Sequence, residues 1–139
     1  KQKAKLAMVR LLGSLLPSVT VHSGLDPATI SRDPEVVQAY INDSLIHYST
    51  SLGFGKAGLH AIDLCFARAG EIPAPLLMIH GKGDKLTYPS GTEDFAKLVS
   101  AAGGDVTLKL WDDLYHEVHN EPEKAEVFKF MIEWLDRHL

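Results

Sequence analysis

The stretch PLLMIHGKGD, residues 75–84, decides the fold class of this chain of 139 residues. It begins with a continuous apolar run up to His80 and closes with two glycines and Asp84. A short apolar run without alternation is typical of a strand that is covered on both faces, as in a parallel sheet. The glycines indicate a sharp turn directly after the strand. The stretch therefore predicts a buried strand with Asp84 just past its carboxyl end.

The residues that follow predict a helix, a second strand and a final helix. Residues 90–102 carry apolar side chains at helical spacing, and the pair Gly103-Gly104 predicts the end of that helix. Residues 106–111 alternate between apolar and polar side chains, which is typical of a strand near a sheet edge. The order strand, helix, strand, helix predicts a right-handed parallel crossover and therefore the α/β class.

The final helix is expected to begin within the stretch NEPE, residues 120–123. Asn120 is a suitable cap, and Pro122 is tolerated in the first helical turn. Glu123 can reach back to the start of the helix as in a capping box. We therefore expect Asn120 to cap a helix that continues to the C-terminus.

A parallel sheet of two strands is not expected to be stable alone, because the first strand needs a neighbour at both of its edges. The sheet in this chain is therefore expected to be incomplete. Its other strands belong either to another chain or to a part of the protein that was removed. An unpaired strand edge is a template for another strand, so we expect the chain to associate with the missing half of its fold.

Residues 1–72 differ from the rest of the chain in their sequence pattern, which predicts helices joined by irregular segments. Apolar side chains at residues 6–16 recur at helical spacing, and Pro17 ends this first helix. The pair Asp33-Pro34 predicts the start of a second helix, and a third covers residues 54–69. We expect the apolar stripe of the first helix to be part of the core.

Composition excludes several classes of function. The chain has 18 Asp and Glu against 14 Lys and Arg, a net charge of −4, so it lacks the broad basic surface that binds nucleic acid. Cys65 is the only cysteine, which excludes an internal disulfide framework and predicts a buried small apolar residue. The longest apolar stretch, residues 11–21, is interrupted and too short to cross a bilayer. These features favour a cytoplasmic location.

Two groups of residues could carry chemistry, and each has alternatives. Asp84 is placed to face the crevice at the carboxyl ends of the strands, or it caps a turn. His116 follows the second strand and could act as a general base if a carboxylate orients it. A metal site formed by His116 and His119 with Glu117 or Glu121, and a structural histidine pair, are the alternatives.

Asp84 and His116 together are a more specific signal for catalysis than either residue alone. An acid after one strand and a histidine after the next, separated by a helix, match the last two members of a catalytic triad in the chain order Ser, Asp, His. In such a triad the carboxylate fixes the tautomer of the imidazole and stabilises the imidazolium that forms when the serine loses its proton.

Two stretches carry a resemblance to a known family: PLLMIHGKGDKLTYPSG (75–91) and VTLKLWDDLYHEVHNEPEKAEVFKFMIEWL (106–135). Both resemble the monoacylglycerol lipase and lysophospholipase family of α/β-hydrolases. The stretch GLDPATISRDPEVVQAYINDSLIH (24–47) more loosely resembles the cap of that family. The resemblance implies a helical cap over residues 1–72 and the C-terminal part of an α/β-hydrolase core over residues 73–139, in which parallel strands are flanked by helices.

The resemblance also implies site residues. It assigns Asp84 as the triad acid and His116 as the triad base, and it leaves His119 to pack or form hydrogen bonds in the loop. It implies no cofactor and no metal. The implied activity is hydrolysis of a carboxylic ester through an acyl-enzyme, with monoacylglycerol or a similar single-chain lipid ester as the substrate.

The chain departs from this family in one large respect, because no G-x-S-x-G motif occurs in it. The nucleophile is then expected in the half of the fold that precedes residue 1, and this chain alone is expected to be inactive. One alternative is a non-catalytic fragment or assembly module. Another is an S33-like aminopeptidase or a different cap-bearing hydrolase, since the same Asp and His serve many acyl substrates.

The first helix carries a modest signal for membrane contact. Lys1, Lys3, Lys5 and Arg10 are expected on its polar side. Cations beside an apolar stripe are typical of weak contact with anionic lipid. Peripheral association of the cap with a membrane surface therefore remains an alternative to a purely cytoplasmic location.

Overall fold

The computed structural model describes residues 2–139, apart from the side chains of Gln2, Lys3 and Lys5. The described chain divides into two compact units, one formed by the residues up to Gly24 together with His47–Arg68, the other by Leu25–Ile46 together with Ala69–Leu139. The helices and strands, in chain order, are α1 (Gln2–Leu15), β1 (Thr20–His22), α2 (Pro34–Asn42), β2 (Ser49–Ser51), α3 (Leu52–Ala67), β3 (Leu76–Gly81), α4 (Pro89–Ala101), β4 (Val106–Trp111) and α5 (Lys124–Asp136).

The second unit is built on the parallel pair of β3 and β4. Their register runs from Leu76 opposite Val106 to Gly81 opposite Trp111. The predicted strands and their parallel pairing are therefore confirmed. Because the two strands end at the same edge, the loop after β3 and the loop after β4 leave the sheet side by side.

Helix α4 connects the two strands and packs on both of them. It begins with Pro89 in its first turn and ends at Ala101. Gly103 follows with φ of +85°, a left-handed conformation that glycine adopts without steric cost. The predicted end of this helix at the glycine pair is confirmed.

The buried core of this unit lies beneath the loop that follows β4. Its fully buried members come from that loop and from α5, and half-buried side chains of both strands and α5 pack against them. The buried members are Leu114, Val118 and Val127, and the half-buried ones are Ile79, Trp111 and Met131. The indole Nε1 of Trp134 donates a hydrogen bond of 2.9 Å to Thr107 Oγ1, which joins α5 to β4.

The predicted start of the final helix is wrong. Asn120 lies in a short 3-10 turn, Val118–Asn120, and its side chain donates to Glu117 Oε2 at 2.8 Å. Helix α5 begins four residues later, and Glu123 at its start makes no capping bond. The reason is a long-range contact: the Asn120 carbonyl accepts a hydrogen bond from Ser31 Oγ at 3.0 Å, so the backbone here is set by tertiary structure.

The segment 25–46 packs with the sheet-bearing part of the chain. Its helix α2 begins as predicted, since Asp33 accepts a hydrogen bond of 2.9 Å from the backbone N–H of Glu35 and Pro34 occupies the first helical position. Ile30, just before it, is buried, and its carbonyl accepts from the N–H of Glu117 at 2.8 Å.

The first unit consists of α1 packed on α3 and of the antiparallel pair β1 and β2. The two helices approach closely at Gly13, where a Cβ atom would lie 2.5 Å from the carbonyl oxygen of Leu52 and 2.7 Å from Lys56 Cβ. A glycine inside a helix lowers its intrinsic stability. Here it permits the backbone contact between the two helices.

Two expectations for the first unit are wrong. Cys65 is exposed instead of buried. The apolar stripe of α1 is core only in part, because Val9 and Leu12 are half-buried while Leu6 and Leu15 are 39% and 67% exposed.

Within the described residues, no helix combines the length and the apolar character that a membrane crossing needs.

Strand β3 is less covered than its sequence predicts. Its residues from Leu76 to His80 are all half-buried, and only Gly81 is buried. In the described part of the chain, β4 is its one hydrogen-bonded neighbour, so the other edge of β3 has no strand beside it. These observations agree with the expectation of an incomplete sheet.

We predict that Gly81→Ala destabilises the chain, because a Cβ atom there would lie 2.2 Å from the carbonyl oxygen of Leu114 and 2.3 Å from that of Tyr115. Both neighbours are backbone atoms, so the two loops must move apart. The expected loss is about 1–3 kcal/mol of unfolding free energy. Urea unfolding followed by tryptophan fluorescence measures it.

Gly91→Ala is the matched control, since a Cβ atom on this residue of α4 would meet nothing within 4 Å. Alanine is favoured over glycine in a helix by about 0.5–1 kcal/mol, so this variant should be as stable as the parent or more so. Equal stability of the two variants would contradict the close contact at Gly81.

Candidate active site

Asp84 lies in the loop after β3 and is 5% exposed. Its Oδ1 atom accepts hydrogen bonds from the backbone N–H groups of Leu86, at 2.7 Å, and Thr87, at 3.0 Å. This is the turn-capping role that aspartate often plays. One carboxylate oxygen of Asp84 therefore stabilises the conformation of its own loop.

The other oxygen of Asp84, Oδ2, faces the loop after β4. It lies 2.9 Å from Nδ1 of His116 and 2.8 Å from the hydroxyl of Thr87, which donates to it. The chain thus brings together Asp84 and His116, which are 32 residues apart in sequence. The distance between them is that of a hydrogen bond, as the order of motifs predicts.

Hydrogen bonding outweighs burial in setting the charge of Asp84. Burial alone would raise the pKa of this carboxyl group, but the hydrogen bonds from His116, Thr87 and Leu86 favour the carboxylate. The net result is a pKa lowered from 3.8 to about 2. At neutral pH the group is therefore a carboxylate that is held in place by several donors.

A second histidine, His80, contacts the same carboxylate and was not singled out by the sequence. Its Nε2 lies 3.1 Å from Asp84 Oδ2 and 2.9 Å from the carbonyl oxygen of Thr87. Both partners are acceptors, so Nε2 carries a hydrogen. The other ring nitrogen is 2.7 Å from Thr92 Oγ1, which fixes the ring from the side of α4. The only sequence signal was its position four residues before Asp84.

The imidazole of His116 is anchored at one nitrogen and open at the other. Its Nδ1 faces Asp84, an acceptor, which favours the tautomer with hydrogen on Nδ1. Its side chain is 38% exposed, and within the described residues Nε2 has no hydrogen-bond partner. An acceptor nitrogen that faces outward from an Asp–His pair can take a proton from a neighbouring hydroxyl group.

The residues of the alternative metal site are not brought together. His119 is exposed and makes no hydrogen bond within the described residues. Glu117 accepts from Asn120, while Glu121 is turned to Arg32 and to the backbone of Tyr115. No group of three or more His, Cys, Asp or Glu in the described part of the chain could hold a metal ion.

Surface contacts also join the two loops that carry the pair. Lys82 and Asp112 form an exposed ion pair at 2.6 Å, which raises the pKa of Lys82 and lowers that of Asp112. The ammonium group of Lys85 lies 5.7 Å from the centre of the Tyr115 ring. Exposed pairs of this kind contribute little to stability. Their effect on the two loops is therefore on orientation more than on stability.

No serine hydroxyl in the described residues forms a hydrogen bond with His116. Chemically, an Asp–His pair of this geometry can orient, accept and return a proton.

Comparison with known proteins identifies the family. The family model for serine aminopeptidase S33 matches residues 1–123. The chain is 40% identical over 97% of its length to an abhydrolase domain-containing protein of Dictyostelium discoideum, and 38% identical over 96% of its length to a monoacylglycerol lipase of Mycolicibacterium smegmatis. It spans 14% and 47% of the length of these two relatives.

The fold agrees with a solved structure. The crystal structure of Paleococcus ferrophilus monoacylglycerol lipase superimposes on 97% of this chain with a TM-score of 0.88 and 31% identity, and the chain covers 52% of that structure. The chain belongs to the serine aminopeptidase S33 family of α/β-hydrolases, and within it resembles the monoacylglycerol lipases.

Proposed function

We propose that this chain supplies the acid and the base of a serine hydrolase that cleaves carboxylic esters. The observation that supports the proposal most directly is the 2.9 Å contact between Asp84 and Nδ1 of His116 at the adjoining ends of two parallel strands. The ends of strands in open α/β sheets are where ligands bind. The relatives that are named as lipases make an ester the leading substrate class.

The chemistry assigned to the two residues follows from their geometry. Asp84 holds the hydrogen on Nδ1 of His116, so Nε2 can take the proton of a serine hydroxyl as that oxygen attacks the ester carbonyl. His116 then gives this proton to the leaving alcohol as the carbon–oxygen bond breaks, which leaves an acyl-serine. A water molecule releases the acid by the same two proton transfers, and Asp84 stabilises the imidazolium each time.

The serine in this proposal comes from outside the 139 residues. The motif G-x-S-x-G does not occur in the chain, and the chain spans about half of the lipases that it matches. The open edge of β3 is the place where a further strand would add to the sheet. A second candidate function is a non-catalytic assembly module. The observation that favours it is the absence of the G-x-S-x-G motif, and no contact in the structure adds to it.

The proposed substrate is a monoacylglycerol or a similar single-chain lipid ester, and the proposed cap is residues 1–72. Exposed apolar side chains on α1 and α3 suit contact with acyl chains, among them Leu11 at 61% and Phe54 at 73% exposure. An amide substrate, as the family name suggests, is the alternative within the same mechanism.

Weak contact of the cap with a membrane surface is part of the proposal, together with a cytoplasmic location. Arg10 is half-exposed and pairs with Asp63 at 2.7 Å, so its charge is partly neutralised. The side chains of Lys1, Lys3 and Lys5, on which the sequence signal also depends, lie outside the described residues. Apolar area then contributes more to such contact than charge does.

We predict that Asp84→Asn destabilises the chain at neutral pH and much less in acid. The folded pKa of Asp84 is lower than its ordinary value, at about 2 against 3.8. The stabilisation is therefore fully present above pH 4 and is lost as the pH falls from about 4 to about 2. The shift corresponds to about 2 kcal/mol. Urea unfolding of both proteins between pH 7 and pH 3 measures the difference.

Asp94→Asn is the control for this pH series. Asp94 is exposed and pairs with Lys97, one turn along α4, at 3.2 Å. Its replacement should change the unfolding free energy by less than about 0.5 kcal/mol at every pH. If Asp84→Asn lowers the unfolding free energy by the same amount from pH 7 to pH 3, the negative charge of Asp84 is not the source of the stabilisation.

The activity itself can be tested by supplying the missing part. The chain alone should neither hydrolyse a monoacylglycerol nor react with a fluorophosphonate probe. Joined behind the part of the M. smegmatis lipase that it does not match, it should do both. In that fusion, His116→Ala should lower kcat/KM at least about a thousandfold, because triad members act as a unit.

His119→Ala is the matched histidine control for the fusion and should lower kcat/KM less than about tenfold, because in the described residues His119 is exposed and forms no hydrogen bond or ion pair with Asp84 or His116. Equal losses from the two replacements would show that His116 is not the specific base of the reaction. Turnover by the chain alone, or a covalent adduct on one of its own serines, would overturn the assignment of an external nucleophile.

A further inference from the structure

Glu121 is a fully buried carboxylate that takes no part in the Asp84–His116 pair. Its side chain is 0% exposed. Removing a charged carboxylate from water costs several kcal/mol unless donors replace the lost hydration. The identity of its donors therefore shows what this residue holds together.

Both oxygens of Glu121 are engaged by donors from two distant parts of the chain. Oε1 accepts from the backbone N–H of Tyr115 at 2.7 Å and from that of Arg32 at 3.2 Å. Oε2 accepts from Nε of Arg32 at 2.8 Å. The guanidinium group of Arg32 also reaches Glu123. Glu121 thus joins residue 32 to the residue that directly precedes His116.

Further hydrogen bonds tie the same two segments together. The N–H of Glu117 donates to the carbonyl of Ile30 at 2.8 Å, and Ser31 Oγ donates to the carbonyl of Asn120 at 3.0 Å. The segment 30–32 therefore holds the loop 115–121 directly at residues 117, 120 and 121, and through Glu121 it also holds the backbone at residue 115. These positions lie on both sides of His116.

His116 depends on this support because its own side chain is anchored at one ring nitrogen only. The loop has no strand partner, and its single regular element is the 3-10 turn Val118–Asn120. We propose that Glu121, held by Arg32, is a positioning residue that keeps the backbone at Tyr115 and Glu117 in the conformation that directs His116 Nδ1 to Asp84. The effect of Glu121 on catalysis rests on the proposed function, whereas its effect on the position of His116 does not.

A role in stability alone would have different consequences. A buried pair that only stabilises the fold would lower the unfolding free energy when it is broken and leave the His116–Asp84 contact of the folded protein unchanged. A positioning role changes that contact in molecules that are still folded. The test must therefore report on the imidazole itself.

The experiment uses the full chain with 15N-labelled histidine, the signal of His116 being assigned with His116→Gln. The exchange rate of the Nδ1 hydrogen with water is measured by NMR for the parent and for Glu121→Gln, which keeps an acceptor for Tyr115 but removes the charge facing Arg32. We expect exchange to be at least about tenfold faster in the variant. Arg32→Lys, which keeps the charge and loses the forked donor, should act in the same direction and covers the case in which Glu121→Gln does not fold.

Val99→Ala is the matched structural control. Val99 is 1% exposed in α4 and belongs neither to the loop nor to the Asp84 hydrogen bonds. It should lower the unfolding midpoint and leave the exchange rate of His116 within about twofold of the parent. If Glu121→Gln and Arg32→Lys lower the midpoint but also leave the exchange rate unchanged, the positioning role is wrong.

The same variants in the active fusion connect the geometry to catalysis. Glu121→Gln should lower kcat by up to about 100-fold and change KM by less than about threefold, because a displaced base impairs proton transfer more than substrate binding. A change in KM alone would overturn the proposal. If the fusion is inactive without any substitution, the proposed function fails, while the NMR result still decides the role of Glu121.

Discussion

The contact between two backbones at the ends of β3 and β4 is the constraint on which the rest of the site depends. The carbonyl oxygens of Leu114 and Tyr115 occupy the space where a side chain on Gly81 would stand. Gly83 is crowded in the same way by the carbonyl of Asp113. This close approach is possible only because the two strands are parallel neighbours, and it brings the loop of Asp84 within hydrogen-bond reach of the loop of His116.

The two loops hold their shape by different means. The loop after β3 is stabilised locally, because Asp84 caps the backbone N–H groups of Leu86 and Thr87. The loop after β4 has little local structure, and it depends on Glu121 and on partners 89 residues earlier in the chain. One half of the site is therefore encoded within a short stretch of sequence, whereas the other half forms only when distant segments meet.

This difference explains how much of the molecule could be predicted from its sequence. The apolar run before His80, the alternation at 106–111 and the glycines at 103–104 are local signals, and the strands, the parallel pairing and the helix end that they predict are all confirmed. The juxtaposition of Asp84 and His116 follows from the same order of elements. The start of α5 differs from its prediction because Asn120 and Glu123 match a capping box when the contacts of residues 30–32 are not considered. The contact of His80 with Asp84 and the exposure of Cys65 likewise depend on tertiary surroundings that no short-range pattern contains.

The two carboxylate oxygens of Asp84 have different partners, and this difference has an evolutionary consequence. Oδ1 serves the loop and Oδ2 serves His116, so under the proposed function selection for a folded chain and selection for turnover act on the same residue. A descendant that lost its nucleophile would still need an aspartate here to close the turn. The histidine is under no such second demand, because within the described residues its side chain contacts Asp84 Oδ2 and, at 3.4 Å, the hydroxyl of Thr87, and it caps no turn. Under the proposed function, His116 should therefore be replaced before Asp84 in a lineage that drifts away from catalysis.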